Sequence, residues 1–199
     1  SPGSLTATGL VAKTASAPAI DGAESLAVAR HAPRRERVCV LGVPLDMVSL
    51  SGAVRQIDAA AQTRKPLFIS TANLNFLALS YRSPQFRASL WASDLCTADG
   101  IAIVVLCRLL GIAVPERVAG SDFVQAIADD TNPGLDRPLT VFFFGGTEEA
   151  GPAACKAVNA MNSPRLRCLG SLSPGFGSIE NMSSTDVIAA VNRNAPDFL

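Results

Sequence analysis

Three times along this chain a short strand-like run, continuous and β-rich in the last case, ends on Asn, Asp or Gly and passes into helical periodicity. Residues 66–71 lead to Asn73, residues 94–97 to Asp99-Gly100, and residues 139–144 to Gly145-Gly146. An apolar run without alternation marks a strand buried on both faces, as in parallel sheets. Strand followed by helix, repeated, predicts an α/β fold: a doubly wound, mostly parallel sheet with helices on both faces. In such sheets ligands bind beyond the C-terminal ends of the strands. Asn73, Asp99, Gly145 and Gly146 are therefore expected on one edge.

The remaining elements fit between these units. Residues 38–41 and 45–48 read as two short strands with a tight bend at Gly42-Val43-Pro44. Ser51 is placed to cap a helix over residues 52–63, with Ala53, Val54, Ile57, Ala60 and Ala61 on one face. Asn73 opens a helix expected to turn Leu74, Leu77, Ala78 and Tyr81 inward. Ser83-Pro84 starts another, with serine as cap and proline in the first turn, carrying Phe86, Leu90 and Trp91. A helix over residues 100–110 stops at Gly111, and the next begins at Ser121 or Asp122. Gly145-Gly146-Thr147 is expected to lead straight into a helix ending near Met161. A strand over residues 166–169, a loop over 170–183, a helix over 185–192 and a strand starting at Asp197 complete the chain.

The chain has 199 residues, enough for one domain, and 48% of them are hydrophobic. Residues 1–37, rich in Ala, Ser, Gly, Pro and Thr, show no periodicity and read as a disordered leader before a domain over 38–199. Seventeen basic and seventeen acidic residues cancel, which argues against a nucleic-acid binder. The longest apolar run, residues 101–114, contains Arg108 and is shorter than the roughly 20 residues a membrane span needs. Five cysteines with no CxxC spacing suggest buried thiols rather than a disulfide framework or zinc site. The only histidine, His31, lies in the leader. Within the domain there is then no Ser-His or Cys-His couple, and proton transfer near neutral pH falls to a carboxylate.

Single motifs leave alternatives open. Asp99 fits a helix cap as well as a general base, and Thr71 and Asn73 fit turn or cap positions as well as a pocket. Arg117 is either a surface arginine or a planar fork for phosphate oxygens. Gly145-Gly146 is either a tight strand-to-helix turn or a place where a diphosphate meets backbone N–H groups. The Pro174-Gly175-Phe176-Gly177 stretch is a lid or a connection. Asp129-Asp130 reads as a solvated acidic pair, and no DxD sequence demands a metal. Neither GxGxxG nor GK[ST] is present, which disfavours a nicotinamide-dependent oxidoreductase and excludes a P-loop.

In combination the motifs say more. Thr71-x-Asn73, Ala98-Asp99-Gly100, Arg117-Val118-x-Gly120-x-Asp122, Phe144-Gly145-Gly146 and Gly175-Phe176, in this order, resemble the WecG/TagA/CpsF glycosyltransferases, glycosyltransferase family 26, from residue 38 onward. The resemblance implies a Rossmann-like domain without cofactor or metal. It implies inverting transfer of N-acetylmannosamine, its uronate or glucose from a UDP-sugar donor. The acceptor is a polyprenyl-diphosphate-linked saccharide of bacterial cell-surface polysaccharide synthesis, reached by a cytoplasmic, peripheral protein at the inner face of the membrane. Asp99 falls on the family's general base. Thr71, Asn73, Gly120 and Asp122 fall on substrate-pocket positions, Arg117 on an arginine near phosphate, and Gly145 and Gly146 on a loop that can meet the leaving group. Family members continue into a Pro-Lys-Gln-Glu motif and a membrane-docking appendage not found up to Leu199. Weak or absent turnover of this chain is the resulting expectation. The alternative is a truncated, non-catalytic nucleotide-binding or oligomerisation module, and association of copies over exposed apolar surface is expected in either case.

Overall fold

The computed structural model describes residues 10–12, 36–131 and 135–199. Most of the expected leader, and the middle of the loop before residue 139, lie outside the described residues. Within the leader, β1 (Leu10–Ala12) runs antiparallel to the start of β4 (Leu67–Ala72). A hairpin, β2 (Arg37–Val40) and β3 (Val43–Asp46), precedes helix α1 (Leu50–Thr63). After β4 come α2 (Leu74–Arg82), α3 (Pro84–Trp91), β5 (Leu95–Ala98), α4 (Ile101–Leu109) and α5 (Gly120–Asp129). The last part holds β6 (Leu139–Phe144), α6 (Ala150–Ala160), β7 (Leu166–Leu172), α7 (Ile179–Met182) and α8 (Thr185–Asn194).

The fold class is the expected mixed α/β one, in a Rossmann-like manner, built from short sheets. β4 and β5 pair in parallel, as do β6 and β7, and Phe198 forms a parallel bridge to Val141 on β6. Two pairs are antiparallel, β1–β4 and the β2–β3 hairpin. Helices cover both faces because successive strand residues point to opposite sides. On β4 and β5, Ile69 and Leu95 face a core shared with Val54 and Ile57 of α1, Phe123 and Ile127 of α5, and Val158 of α6. Ala72, Cys96 and Ala98 face a second core with Phe76 of α2, Leu90 of α3, Ile103 of α4 and Leu45 of the hairpin. Burying such apolar side chains is the main driving term, at about 25 cal/mol per Å2.

Two polar clamps join the parts. Asp46 is 4% exposed, accepts Arg37 Nε and Nη2 at 3.0 and 2.8 Å, and accepts the Cys96 backbone N–H at 2.7 Å. That carboxylate fastens the hairpin to the start of β5. The same charge and burial push the Cys96 thiol up to about 12, burial being the larger cause. On the other face, Arg165 ahead of β7 meets Asp58 of α1 at 2.8 Å and Asp130 after α5 at 3.3 Å. Asp130 is thus part of an internal ion cluster rather than half of a solvated pair.

Several local expectations shift. The hairpin turns at Leu41-Gly42, where φ is +49° and +89°, and Pro44 lies in the strand opposite Cys39. Both turn residues occupy the left-handed region that a two-residue hairpin requires. Ser49, not Ser51, caps α1, accepting Gly52 N–H at 3.2 Å. On α2 the buried residues are Phe76 and Ser80, whereas Leu74 and Tyr81 are 51% and 89% exposed. Phe76 stacks edge-on to Phe86 at 5.1 Å, and that aromatic contact sets the helix rotation. α5 starts at Gly120, and α6 starts only at Ala150, after a turn that follows Gly145-Gly146. Cys155 and Cys168 form a disulfide between α6 and β7, with Cα atoms 5.3 Å apart, and Cys39 is exposed; only Cys96 and Cys107 are the buried thiols expected. Packing a helix across its neighbouring strand brought that pair into bridging range, which sequence spacing does not reveal.

Replacing Asp46 by Ala leaves the Cys96 N–H without its acceptor and Arg37 without its carboxylate, with the Ser93 carbonyl still accepting Nη2 at 3.1 Å. The expected loss is about 3 kcal/mol in urea unfolding, as for breaking other buried pairs. A loss below about 0.5 kcal/mol, the scale of an exposed pair, would show that this clamp does not hold the hairpin.

Candidate functional site

The register of β4 against β5 pairs Thr71 with Thr97 and Ala72 with Ala98. The two strands end level, so the next residues, Asn73 and Asp99, emerge side by side. The Asp99 N–H donates to the Ala72 carbonyl at 2.7 Å. Gly100 follows with φ of +93°, a conformation that suits glycine, and a Cβ there would lie 4.0 Å from the Asn73 Cβ. This turn lets α4 begin without a capping side chain. Asp99 therefore does not act as the cap, and its carboxylate is left for the cleft.

Asn73 does cap its helix: Oδ1 accepts Asn75 and Phe76 N–H at 3.0 and 3.1 Å. That fixes the side chain, and among the described residues nothing accepts from its Nδ2. The segment before α5 is laced to the end of β5. Val118 N–H donates to the Ala98 carbonyl at 2.9 Å, and the buried Thr97 hydroxyl donates to the Val118 carbonyl at 2.9 Å. Those two bonds carry Arg117 to Asp99, with Nη1 3.8 Å from Oδ1. Asp122 takes the other arm of the guanidinium, Nη2 to Oδ2 at 2.8 Å. Gly120 lies against Thr71, where an added Cβ would sit 3.6 Å from Cγ2 and Oγ1.

These groups border a cleft of about 430 Å3. Thr71, Asn73, Asp99, Gly120 and Ser121 line its polar side, with Asn75. Val141, Phe142, Phe143, Phe144 and Phe198 line an apolar wall, with Phe76, Val124 and Leu199. The arrangement is the kind that binds small molecules: apolar walls with few convergent polar groups. Of the sequence-predicted residues, Thr71, Asn73, Asp99 and Gly120 line the cleft, Arg117 stands against Asp99, and Asp122 stands against Arg117. Gly145 and Gly146 lie beyond Phe144 and outside the lining. The Gly145 N–H is spent on the Leu172 carbonyl at 2.9 Å, and the Gly146 carbonyl accepts the Ser173 hydroxyl at 2.8 Å. Phe176 is 65% exposed and also outside the lining.

Sequence reasoning missed the aromatic wall, whose residues carry no signal beyond an ordinary buried strand. It also missed the hold on Phe198: Asp197 binds Arg137 through both carboxylate oxygens and accepts the Thr140 N–H at 2.9 Å. Glu116 belongs elsewhere, accepting the Leu50 N–H at 2.6 Å ahead of α1.

Asp99 is held above the usual carboxylate range, chiefly by burial; Arg117 pulls it down and Asp122 pushes it up. A carboxyl shifted this way is a better proton acceptor than a solvated one. It also has a stability consequence. Since its folded value lies above its unfolded one, ionised Asp99 opposes folding at neutral pH, and this cost disappears as pH falls below the ordinary carboxylate range. Asp99→Asn is therefore expected to raise the melting temperature at pH 7 and to lose that gain in acid. A variant less stable than wild type at pH 7 would contradict the strained carboxylate.

Among the described residues no helix is long and apolar enough to cross a membrane. One curated relative is the N-acetylglucosaminyldiphosphoundecaprenol N-acetyl-beta-D-mannosaminyltransferase of Bacillus spizizenii, 31% identical over 84 residues. That match covers 42% of this chain and 32% of the relative, so the chain spans about a third of that protein's length. The profile of the glycosyl transferase WecG/TagA/CpsF family matches residues 38–199, the stretch that holds the cleft, Asp99 and Arg117. The chain belongs to the WecG/TagA/CpsF glycosyl transferase family.

Proposed function

We propose that this chain carries the donor site of an inverting, metal-independent glycosyltransferase of cell-surface polysaccharide synthesis. The observation that carries the reading is the Asp99 carboxylate at the end of β5, in a partly apolar cleft, with the Arg117 guanidinium 3.8 Å away. The donor is a UDP-sugar, and the acceptor a saccharide on polyprenyl diphosphate at the inner face of the membrane. The chemistry named for the Bacillus spizizenii relative supports N-acetylmannosamine as the sugar.

The acceptor hydroxyl is a weak nucleophile. Asp99 takes its proton as the oxygen attacks the anomeric carbon from the face opposite the leaving UDP, and the configuration inverts. Charge grows on the leaving diphosphate. Arg117 offers it the N–H donors of Nη1, the arm not bonded to Asp122, worth most where water is excluded. Thr71 and the free amide of Asn73 orient sugar hydroxyls, and Gly120 keeps the cleft open beside Thr71. The phenylalanine wall gives the uridine or the sugar ring an apolar surface. Gly145-Gly146 contributes a loop at the rim through its positive φ of +92° and +75° rather than through the Gly145 N–H, which is already bonded.

Turnover of UDP-sugars with a lipid-linked acceptor analogue tests the reading. Asp99→Asn is expected to lower kcat by about a thousandfold, within the span of general-base contributions, while UDP affinity stays within about twofold. An unchanged rate removes Asp99 as the base. UDP binding by wild type with no transfer to any acceptor would assign the chain to a non-catalytic nucleotide-binding module.

A further inference from the structure

We propose that Asp122 is a positioning residue: its carboxylate anchors the Arg117 guanidinium beside Asp99 and keeps their 3.8 Å ion pair from closing into a two-armed hydrogen-bonded one. The inference rests on the reading of Asp99 as base and Arg117 as phosphate ligand, and it removes Asp122 from the groups that touch substrate.

The geometry gives Asp122 other work. Oδ2 receives Arg117 Nη2 at 2.8 Å and the Ala119 N–H at 3.2 Å, and Oδ1 receives the Ser121 hydroxyl at 3.4 Å. The Ala119 bond ties the carboxylate to the first turn of α5, where unpaired N–H groups favour a negative charge. Asp122 is thus fixed by its own helix, independently of ligand. Arg117 is the more exposed partner, five residues earlier, and it faces two carboxylates. It hydrogen-bonds Asp122, while its other arm lies 3.8 Å from Asp99 Oδ1, within ion-pair range but beyond a hydrogen bond.

That difference matters chemically. A guanidinium paired through both arms with Asp99 would fill its lone pairs and lower its proton affinity, which disables a general base. It would also withdraw the donors meant for phosphate. With Nη2 tied to Asp122, the guanidinium keeps Nη1 beside Asp99 without hydrogen-bonding it, and the Asp99 oxygens stay open. The charged groups acting on Asp99 are Arg117 from the segment before α5 and Asp122 from α5; Asn73, from the β4 side, is neutral.

The test is a carboxyl-carbon NMR titration of Asp99 in the whole chain, without ligand. In Asp122→Asn an amide oxygen still accepts the Ala119 N–H, so α5 keeps its first turn, but the charge that holds Arg117 is gone. Asp99 is expected to titrate at lower pH than in wild type, for two reasons of the same sign: a neighbouring negative charge is lost and Arg117 closes in. Asp122→Glu, which keeps the charge, should restore most of the wild-type value. Where the chain turns over, the acid limb of kcat/KM moves down with it and kcat drops about tenfold or more, the scale seen for residues that orient a functional group. Asp99 titrating at unchanged or higher pH in Asp122→Asn, with only a lower melting temperature, overturns the proposal and leaves Asp122 a helix residue. The titration needs no turnover. A wild type without transferase activity would therefore sink the catalytic reading while leaving the anchor decided on its own evidence.

Discussion

The parallel pairing of β4 with β5 is the constraint on which the rest depends. Because Ala72 stands opposite Ala98, both strands stop at the same level, and the chain must turn there twice. One turn is resolved by the Asn73 side chain, the other by the left-handed Gly100. The difference between those solutions separates the roles. Asn73 spends its carbonyl oxygen on its own helix, while Asp99, relieved of capping by a glycine, keeps its carboxylate for the cleft. A one-residue slip of this register would send Asp99 to the other face of the sheet and part it from Arg117.

The surroundings show how a site of this kind is held. Its rigid side is the strand pair, whose alternate residues are buried in two separate cores. Its other side is the segment before α5, which carries Arg117 and is tied to β5 by the Val118 and Thr97 bonds. Polar groups stay close yet unmerged: two carboxylates share one guanidinium, and burial raises the proton affinity of Asp99. Such strain is a cost to folding that a functional site bears for its chemistry.

Much of this was legible in the sequence. Apolar runs ending in Asn73 and Asp99 fixed the strand ends, and the alternation of strand and helix fixed the parallel pairing and the two covered faces. The placing of Asn73 and Asp99 on one sheet edge followed from the strand ends, and their company with Thr71, Arg117 and Gly120 from the family resemblance. What was not legible depends on tertiary choices. The rotation of α2 is set by the Phe76–Phe86 contact rather than by its own periodicity. The Cys155–Cys168 bridge depends on how α6 crosses β7. Gly145-Gly146 looked like a phosphate loop because glycines follow a strand, but the chain makes a further turn before α6, and the first N–H goes to Leu172. The aromatic side of the cleft is invisible in principle, since Phe142, Phe143 and Phe144 read as core until a neighbouring strand leaves them a gap.

The central claim is that the ends of β4 and β5 and the start of α5 form one nucleotide-sugar site. Titrating isotope-labelled protein with UDP and following backbone amide shifts tests this most directly. The account predicts that Asn73, Gly100 and Gly120 shift together, saturate with a single Kd, and lose the response when Arg117 is replaced by Gln. Saturable shifts confined to other parts of the chain, or none at these three amides, would contradict it.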